Sequence, residues 1–191
     1  RRRDLQNKIT RRARVSWHPW IARSIRKRIS YSQLGEDIWI FRNYFNRPVG
    51  DASLVEIGAH SGLHYSNSLL LEQMTQGKTV LVEPAESGFA RCLANRPRAR
   101  VYGCAVSSRF EVLELLGESA VAGISTNLSA KYIRQWNLAD AKRREVVALP
   151  LWALARMEHL EYIDVLSIDV QGSELAVLQG VDLSLPIGCL V

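Results

Sequence analysis

The chain has 191 residues, of which 47% are hydrophobic and 23% charged, as is usual for one soluble globular domain. Its three cysteines lie far apart with no CxxC pair, which argues against a disulfide framework and a structural zinc site and predicts a reducing compartment, the cytoplasm. No stretch approaches the roughly 18 consecutive apolar residues of a membrane span, and the N-terminus lacks the apolar core of a signal peptide.

The positive charge is concentrated in the first 30 residues. They hold eleven Lys and Arg side chains against one acid, a net charge of +10, whereas residues 31–191 carry 14 basic and 18 acidic groups. We therefore predict a basic N-terminal extension, 1–30, and one domain, 31–191, with no specific nucleic-acid partner. Trp17 and Trp20 interrupt the basic run. We favour a solvated leader that packs these tryptophans on the domain; the alternative is weak contact with an anionic membrane surface or a phosphate backbone.

The pattern of apolar residues predicts an α/β domain. Helical spacing in "SQLGEDIWIFRNYF" predicts an amphipathic helix over 35–45, and alternating short elements begin at residue 53. The predicted strands are 53–57, 78–84, 99–108, 111–116, 145–149 and 162–170. The predicted helices are 63–77, 85–96, 129–145, 151–158 and 173–179, the last with Ser173 as N-cap and Gly180 just past its end. This alternation predicts a mostly parallel sheet with helices on both faces.

Three acidic residues belong to the ends of predicted strands. Glu56 closes the first, Glu83 the second, and Asp169 interrupts the strongly apolar run "VLSIDV". Ligands of an open parallel sheet bind beyond the carboxyl ends of its strands, where the strand order reverses. Each acid alone has an ordinary explanation as a surface or helix-terminal charge. Three at one edge of the sheet favour a ligand of the nucleoside type.

The glycines after the first strand indicate which nucleoside. Gly58 and Gly62 predict positive φ and a main chain that a ligand can touch where a Cβ would block it. The spacing is E-x-G-x-x-x-G, without the G-x-G-x-x-G that holds a pyrophosphate, since His60 stands inside the turn. Glu83, 25 residues after Gly58, suits the two hydroxyls of a ribose. S-adenosylmethionine has a ribose and no phosphate, so it is the nucleoside that fits this pattern.

Several motifs resemble one known family. "SQLGED", "GAHSGLHYSN" and "IDVQGSEL" occur in the order found in the FkbM-type methyltransferases, and the resemblance covers about residues 31–183. It implies the Rossmann-like S-adenosylmethionine-dependent methyltransferase fold and methylation of a hydroxyl on a sugar, polyketide or other small metabolite. Because "PIGCLV" opens a further strand where the chain stops, we expect the C-terminal strands of that fold to be missing.

The resemblance also implies site residues. Around the methionine part of the cofactor it assigns Glu56, Gly58, Ala59, His60 and Gly62. Glu83 and Pro84 take the ribose, Ala105 and Val106 the adenine, and Gln33, Glu36 and Asp37 fold over the pocket. Asp169 faces the methyl-transfer centre and is the candidate base, with His60 in reserve. This chain departs from the family at Ser61 and Gln171, where acids are common, so a second carboxylate beside Asp169 is in doubt. No metal site is predicted.

The sequence thus predicts an O-methyltransferase that uses S-adenosyl-L-methionine and acts on a small hydroxylated metabolite or glycan. Two alternatives remain open. A non-catalytic or inactive S-adenosylmethionine-binding protein is compatible with the early end of the chain. An NAD(P)-linked enzyme on a similar sheet is disfavoured by the glycine spacing. We expect the loop 117–127 and the helix after it to shape the acceptor pocket.

Overall fold

A computed structural model describes residues 30–45, 50–118 and 120–191, so the predictions for the basic extension fall, except at residue 30, outside the described residues. The helices are α1 (Glu36–Ile40), α2 (Leu69–Met74), α3 (Glu86–Asn95), α4 (Ala130–Gln135), α5 (Leu151–Met157) and α6 (Glu174–Gln179), and a π-helical turn, Phe41–Phe45, continues α1. The strands are β1 (Leu54–Ile57), β2 (Thr79–Val82), β3 (Arg100–Tyr102), β4 (Ala105–Ser107), β5 (Glu111–Leu116), β6 (Gly123–Ile124), β7 (Arg143–Pro150), β8 (Ile163–Ile168) and β9 (Ile187–Leu190). No helix of the described ranges is both long and apolar enough to cross a bilayer.

The main sheet is parallel throughout. Its strands have the order β3-β2-β1-β8-β9, and every neighbouring pair is parallel. From β1 the chain moves outward through β2 to β3 and later returns to the other side of β1 as β8, so the strand order reverses between β1 and β8. Every residue of β1 and β2 is buried, as expected of strands covered on both faces. The predicted Rossmann-like α/β fold is confirmed.

A second sheet, with the order β4-β7-β5-β6, lies beside the first. β4 is parallel to β7, whereas β5 runs antiparallel to both β7 and β6. The prediction of a single strand over 99–108 is wrong, because the chain divides at Gly103 and Cys104 into β3 in one sheet and β4 in the other. Both halves of this run pack in apolar clusters, so the apolar pattern continues through the division.

Two predicted helices are much shorter than expected. The segment predicted as helix over 63–77 becomes helical only at Leu69, because the hydroxyls and backbone just before it bind Glu56. The helix predicted over 129–145 ends at Gln135, Asn137 adopts a φ of 52°, and β7 begins at Arg143. The predicted helix over 173–179 is confirmed as α6, with Ser173 and Gly180 at its ends.

Candidate functional site

A cavity of about 830 Å³, including its open mouth, lies beyond the carboxyl ends of β1, β2 and β8. Because these strands are neighbours in the order β2-β1-β8, the acids predicted at their ends meet at one edge of the sheet. Of the predicted site residues, the cavity is lined by Glu56, Gly58, His60, Glu83, Pro84, Ala105, Val106 and Asp169. Among its described lining residues there are three carboxylates, two histidines and no Lys or Arg.

Glu83 follows β2 directly, and only 7% of the residue is exposed. Its Oε2 accepts a hydrogen bond from the backbone N–H of His60 at 2.7 Å, and its Oε1 accepts one from that of Ala85 at 2.8 Å. Burial raises the pKa of Glu83 to about 7, although these two hydrogen bonds and the charges of Arg91 and Arg144 oppose the rise. Each carboxylate oxygen can accept a second hydrogen bond, so the group can receive two hydroxyls of a ligand.

Glu56 is equally buried within β1, and the chain that follows the glycine turn wraps around its carboxylate. Oε2 accepts hydrogen bonds from the hydroxyls of Ser66 at 2.8 Å and Ser68 at 2.5 Å, and Oε1 accepts one from the backbone N–H of Asn67 at 2.9 Å. The side-chain amide of Asn67 in turn donates to Ser167 Oγ on β8 at 2.9 Å. Glu56 therefore fixes the path of the segment that closes one side of the cavity.

A buried arginine, which the sequence analysis missed, supports this segment from behind. Arg96, just after α3, is 1% exposed, and its guanidinium donates to Glu72 on α2, to the Gly62 carbonyl, and to the hydroxyls of Ser66 and Ser68. The Arg96 Nη2 and Glu72 Oε2 atoms are 2.5 Å apart. In the sequence, a buried arginine at the end of a helix looks the same as a solvent-exposed one, so no sequence signal indicated that Arg96 is buried.

The two glycines of the turn have the predicted positive φ values, 85° at Gly58 and 68° at Gly62. The physical reason differs from the expected one. A Cβ at Gly58 would lie 1.9 Å from the carbonyl oxygen of Asp169, so the close approach is to the neighbouring strand end. Gly62 packs on Arg96 and Cys92 and does not line the cavity. Gly58 thus lets β1 and β8 end side by side, which brings Asp169 to the cavity.

His60 also adopts a left-handed conformation, with a φ of 50°. It is half-buried at the cavity, and burial lowers the pKa of its imidazole, with further contributions from the charges of Arg91 and His64. Ala59, predicted beside it in the site, is instead buried in a small apolar cluster with Leu81 and does not line the cavity. A neutral imidazole at neutral pH is available to accept a proton.

Asp169 comes immediately after β8, and its side chain is exposed at the cavity. Asp169 thus lies at the carboxyl end of the apolar strand as predicted, although the strand ends at Ile168 and not at residue 170. Desolvation nevertheless raises the pKa of Asp169, as do the charges of Glu174 and Glu36. Its Oδ1 accepts a hydrogen bond from Gln171 Nε2 at 2.8 Å. Among the described residues, Oδ2 has no hydrogen-bond partner.

The far wall of the cavity is apolar and comes from the second sheet. Ala105 and Val106 of β4 stand there with Leu115 of β5, Ile124 of β6 and Ala122 before it. The loop before β6 is held over this wall, because Ser87 Oγ at the start of α3 donates to the carbonyl of Glu118 at 3.0 Å. This apolar wall suits an apolar ring, whereas the acids at the strand ends suit polar groups.

The predicted cover of the pocket is only partly present. Asp37 is fully buried and accepts hydrogen bonds from the hydroxyls of Ser30 and Ser32 and from the backbone N–H of Tyr31, so its carboxylate orders the chain before α1. Neither Asp37 nor the exposed Gln33 lines the cavity. Glu36 lies near enough to influence Asp169 electrostatically. Within the described residues, no group of three or more His, Cys, Asp or Glu side chains could hold a metal ion.

Comparison with known proteins agrees with the resemblance in the motifs. The family model described as the methyltransferase FkbM domain matches residues 56–189. The chain belongs to the FkbM methyltransferase family. Among solved structures, the crystal structure of methyltransferase FkbM from Methylobacillus flagellatus KT at 2.20 Å resolution is similar, with 14% sequence identity and a TM-score of 0.38. The alignment covers 84% of this chain and 43% of that one, so this chain spans less than half of its relative. No curated protein matches the chain.

Proposed function

We propose that this FkbM-family protein binds S-adenosyl-L-methionine in the cavity and transfers its methyl group to a hydroxyl of a small metabolite or glycan. The observation that carries the proposal is the position of Glu83, a buried carboxylate at the end of β2 with acceptor capacity left on both oxygens. A ribose presents two adjacent hydroxyl donors, which match that pair of oxygens. The apolar wall at Ala105 and Val106 suits the adenine.

The charge of the cavity supports this ligand over a dinucleotide. S-adenosylmethionine carries two positive groups and one carboxylate, whereas NAD(P) brings a pyrophosphate. The lining has three carboxylates and no Lys or Arg among the described residues, which favours a cationic ligand and disfavours a polyanion. The segment 66–68, fixed by Glu56 and Arg96, closes the side of the cavity where we assign the methionine part.

The cofactor supplies an electrophilic methyl group on a sulfonium. The protein's own part is to hold the acceptor hydroxyl in line with that group, an effect worth about 7–11 kcal/mol in well-oriented reactions, and to take the hydroxyl proton. Asp169 Oδ2 is the assigned proton acceptor, since it is exposed to the cavity and its raised pKa makes it a stronger base than an ordinary aspartate. His60, neutral by virtue of its lowered pKa, is the reserve.

The cluster of acids near Asp169 also limits the acceptor. Glu36 from α1 and Glu174 from α6 both act on Asp169, so a phosphate or carboxylate close to the reacting hydroxyl would meet like charges. We infer that the acceptor is neutral or cationic near that hydroxyl.

Parallel calorimetric titration with S-adenosylmethionine, S-adenosylhomocysteine and NADH tests the proposal. We expect both sulfur nucleosides to bind and NADH not to bind. Binding of NADH alone would overturn the assignment in favour of a dinucleotide enzyme. Binding of S-adenosylmethionine without methyl transfer to any of a panel of sugars and hydroxylated metabolites would favour a binding protein.

A further inference from the structure

A chain of hydrogen bonds reaches the assigned base from α4, the short helix that follows the loop over the cavity. The Tyr132 hydroxyl donates to Gln171 Oε1 at 2.8 Å, and Gln171 Nε2 donates to Asp169 Oδ1 at 2.8 Å. A weaker contact of 3.3 Å joins the same hydroxyl to the carbonyl of Val121. Tyr132 and Gln171 therefore connect α4 and the loop before β6 to the carboxyl end of β8.

We propose that Gln171 and Tyr132 are positioning residues for Asp169, which fix its carboxylate so that Oδ2 alone receives the proton of the acceptor hydroxyl. The proposal rests on the proposed function in one respect, namely that the proton comes from the hydroxyl of a methyl acceptor. The arrangement of the three side chains stands on the structure itself.

The direction of each hydrogen bond in the chain is set by chemistry. An ionised carboxylate only accepts, so the amide nitrogen of Gln171 must face Asp169 and its oxygen must face Tyr132. The phenol then donates to that oxygen, which makes the amide a better donor at its other end. Because Oδ1 is already bound by the amide, protonation is directed to Oδ2, which has no partner among the described residues.

The backbone at Gln171 supports a role for its side-chain direction. Its φ is 54°, a left-handed conformation that a residue with a long side chain rarely adopts, and Gly172 follows with a φ of 99°. Glu174 accepts from the backbone N–H groups of Val170 and Gly172 and so holds this turn. Such strain is maintained only where surrounding contacts fix the conformation, and here they aim Gln171 at Asp169.

The charged groups around Asp169 show why a donor is needed there. Glu36 from α1 and Glu174 from α6 both disfavour its ionised form, as does its partial desolvation. The pKa of Tyr132 is raised by desolvation and by the charge of Asp169, so the phenol stays protonated and remains a donor at neutral pH. Among the described residues, the Gln171 amide is the side-chain group that donates a hydrogen bond to Asp169, and such a bond favours the ionised form.

The test is a ¹³C NMR titration of the Asp169 carboxyl in the full chain, assigned by comparison with Asp169→Asn. Gln171→Leu removes a hydrogen bond to the charged form, so the pKa of Asp169 should rise by about one to two units. Gln171→Glu replaces the donor with a second carboxylate and should raise it further. Tyr132→Phe, which keeps the ring, should raise it by about half a unit, because the Gln171 amide becomes a weaker donor.

Tyr102→Phe is the matched control. Like Tyr132→Phe, it removes a phenol hydroxyl that donates to an acceptor side chain, here Glu158, but it does so outside the cavity. It should leave the pKa of Asp169 unchanged. An Asp169 pKa within about 0.3 units of wild type in Gln171→Leu and Tyr132→Phe would overturn the proposal. If Gln171→Leu does not fold, Tyr132→Phe decides alone.

Binding of S-adenosylhomocysteine by the same variants separates this inference from the proposed function. We expect its affinity to stay within a few-fold of wild type, since neither side chain is assigned to the cofactor. A wild-type protein that does not bind this ligand contradicts the proposed function, whereas the titration of Asp169 requires no ligand. A loss of affinity parallel to the change in pKa would show that Gln171 and Tyr132 act on the whole cavity, and would overturn the specific role.

Discussion

The ionisation of Glu83 provides a quantitative test of the ribose assignment. Burial raises its pKa to about 7, so near neutral pH the ligand-free protein is a mixture of the protonated and ionised forms. Two ribose hydroxyls need an ionised carboxylate, which only accepts hydrogen bonds. If the protonated form does not bind, the affinity for S-adenosylhomocysteine should be about tenfold weaker at pH 6 than at pH 8.

The same ionisation should change the stability of the ligand-free protein in the opposite sense. The pKa in the folded state, about 7, lies above the ordinary value of 4.5 that we take for the unfolded chain, so the folded state binds the proton more tightly. The resulting stabilisation is complete below about pH 4.5 and is lost as the pH rises through 7. A difference of 2.5 units corresponds to about 3 kcal/mol in the free energy of unfolding over the whole pH range, of which about 1 kcal/mol should be lost between pH 6 and 8.

Calorimetric titrations with S-adenosylhomocysteine at pH 6, 7 and 8, together with urea unfolding at the same pH values, measure both effects. Glu83→Gln is the control, because the amide does not titrate. Its affinity should be about ten- to a hundredfold weaker at pH 8 and should lack the wild-type increase between pH 6 and 8. A wild-type affinity that is flat over this range, or the same slope in Glu83→Gln, would refute the assignment of Glu83 to the ribose.

Four further changes have distinct expected results. Asp169→Asn should lower turnover by about 10²–10⁴ with little change in cofactor affinity, and a rate within a few-fold of wild type would end its assignment as base. Arg96→Met leaves Glu72 as an unpaired buried charge and should cost about 3–5 kcal/mol in urea unfolding; a loss under about 1 kcal/mol would contradict the buried network. Gly58→Ala meets a carbonyl oxygen at 1.9 Å and a positive φ, so its melting temperature should fall sharply, and a wild-type value is incompatible with this turn. Deleting residues 1–30 should abolish any binding to anionic liposomes and leave S-adenosylhomocysteine affinity unchanged; weaker affinity would make the extension part of the fold.

The edge of the sheet that carries the site could be predicted because its signals are local. Buried strands of a parallel sheet are continuous apolar runs, and Glu56, Glu83 and Asp169 stand out against them. Gly58 and Gly62 likewise require a conformation that the sequence can indicate. The signals themselves are local, so periodicity and turn chemistry were sufficient, although the contacts that explain the glycines, such as that of Gly58 with Asp169, are not.

The features that the sequence did not reveal depend on distant partners. Arg96 is buried because segments 24 to 34 residues away supply its acceptors. Tyr132 contacts Gln171 across 39 positions. Two other features were hidden for a different reason. The division between β3 and β4 is hidden because the apolar pattern continues through it, and the role of Asp37 is hidden because an acid bound by nearby backbone and hydroxyl groups looks like a surface acid in the sequence.

A crystal structure of the protein grown with S-adenosylhomocysteine tests the central claim most directly. We predict that both ribose hydroxyls lie within hydrogen-bonding distance, about 3 Å, of the two carboxylate oxygens of Glu83, with the adenine against Ala105 and Val106. The side chain of Asp169 should face the sulfur end of the ligand. A ligand bound outside this cavity, or inside it with its ribose away from Glu83, would contradict the account.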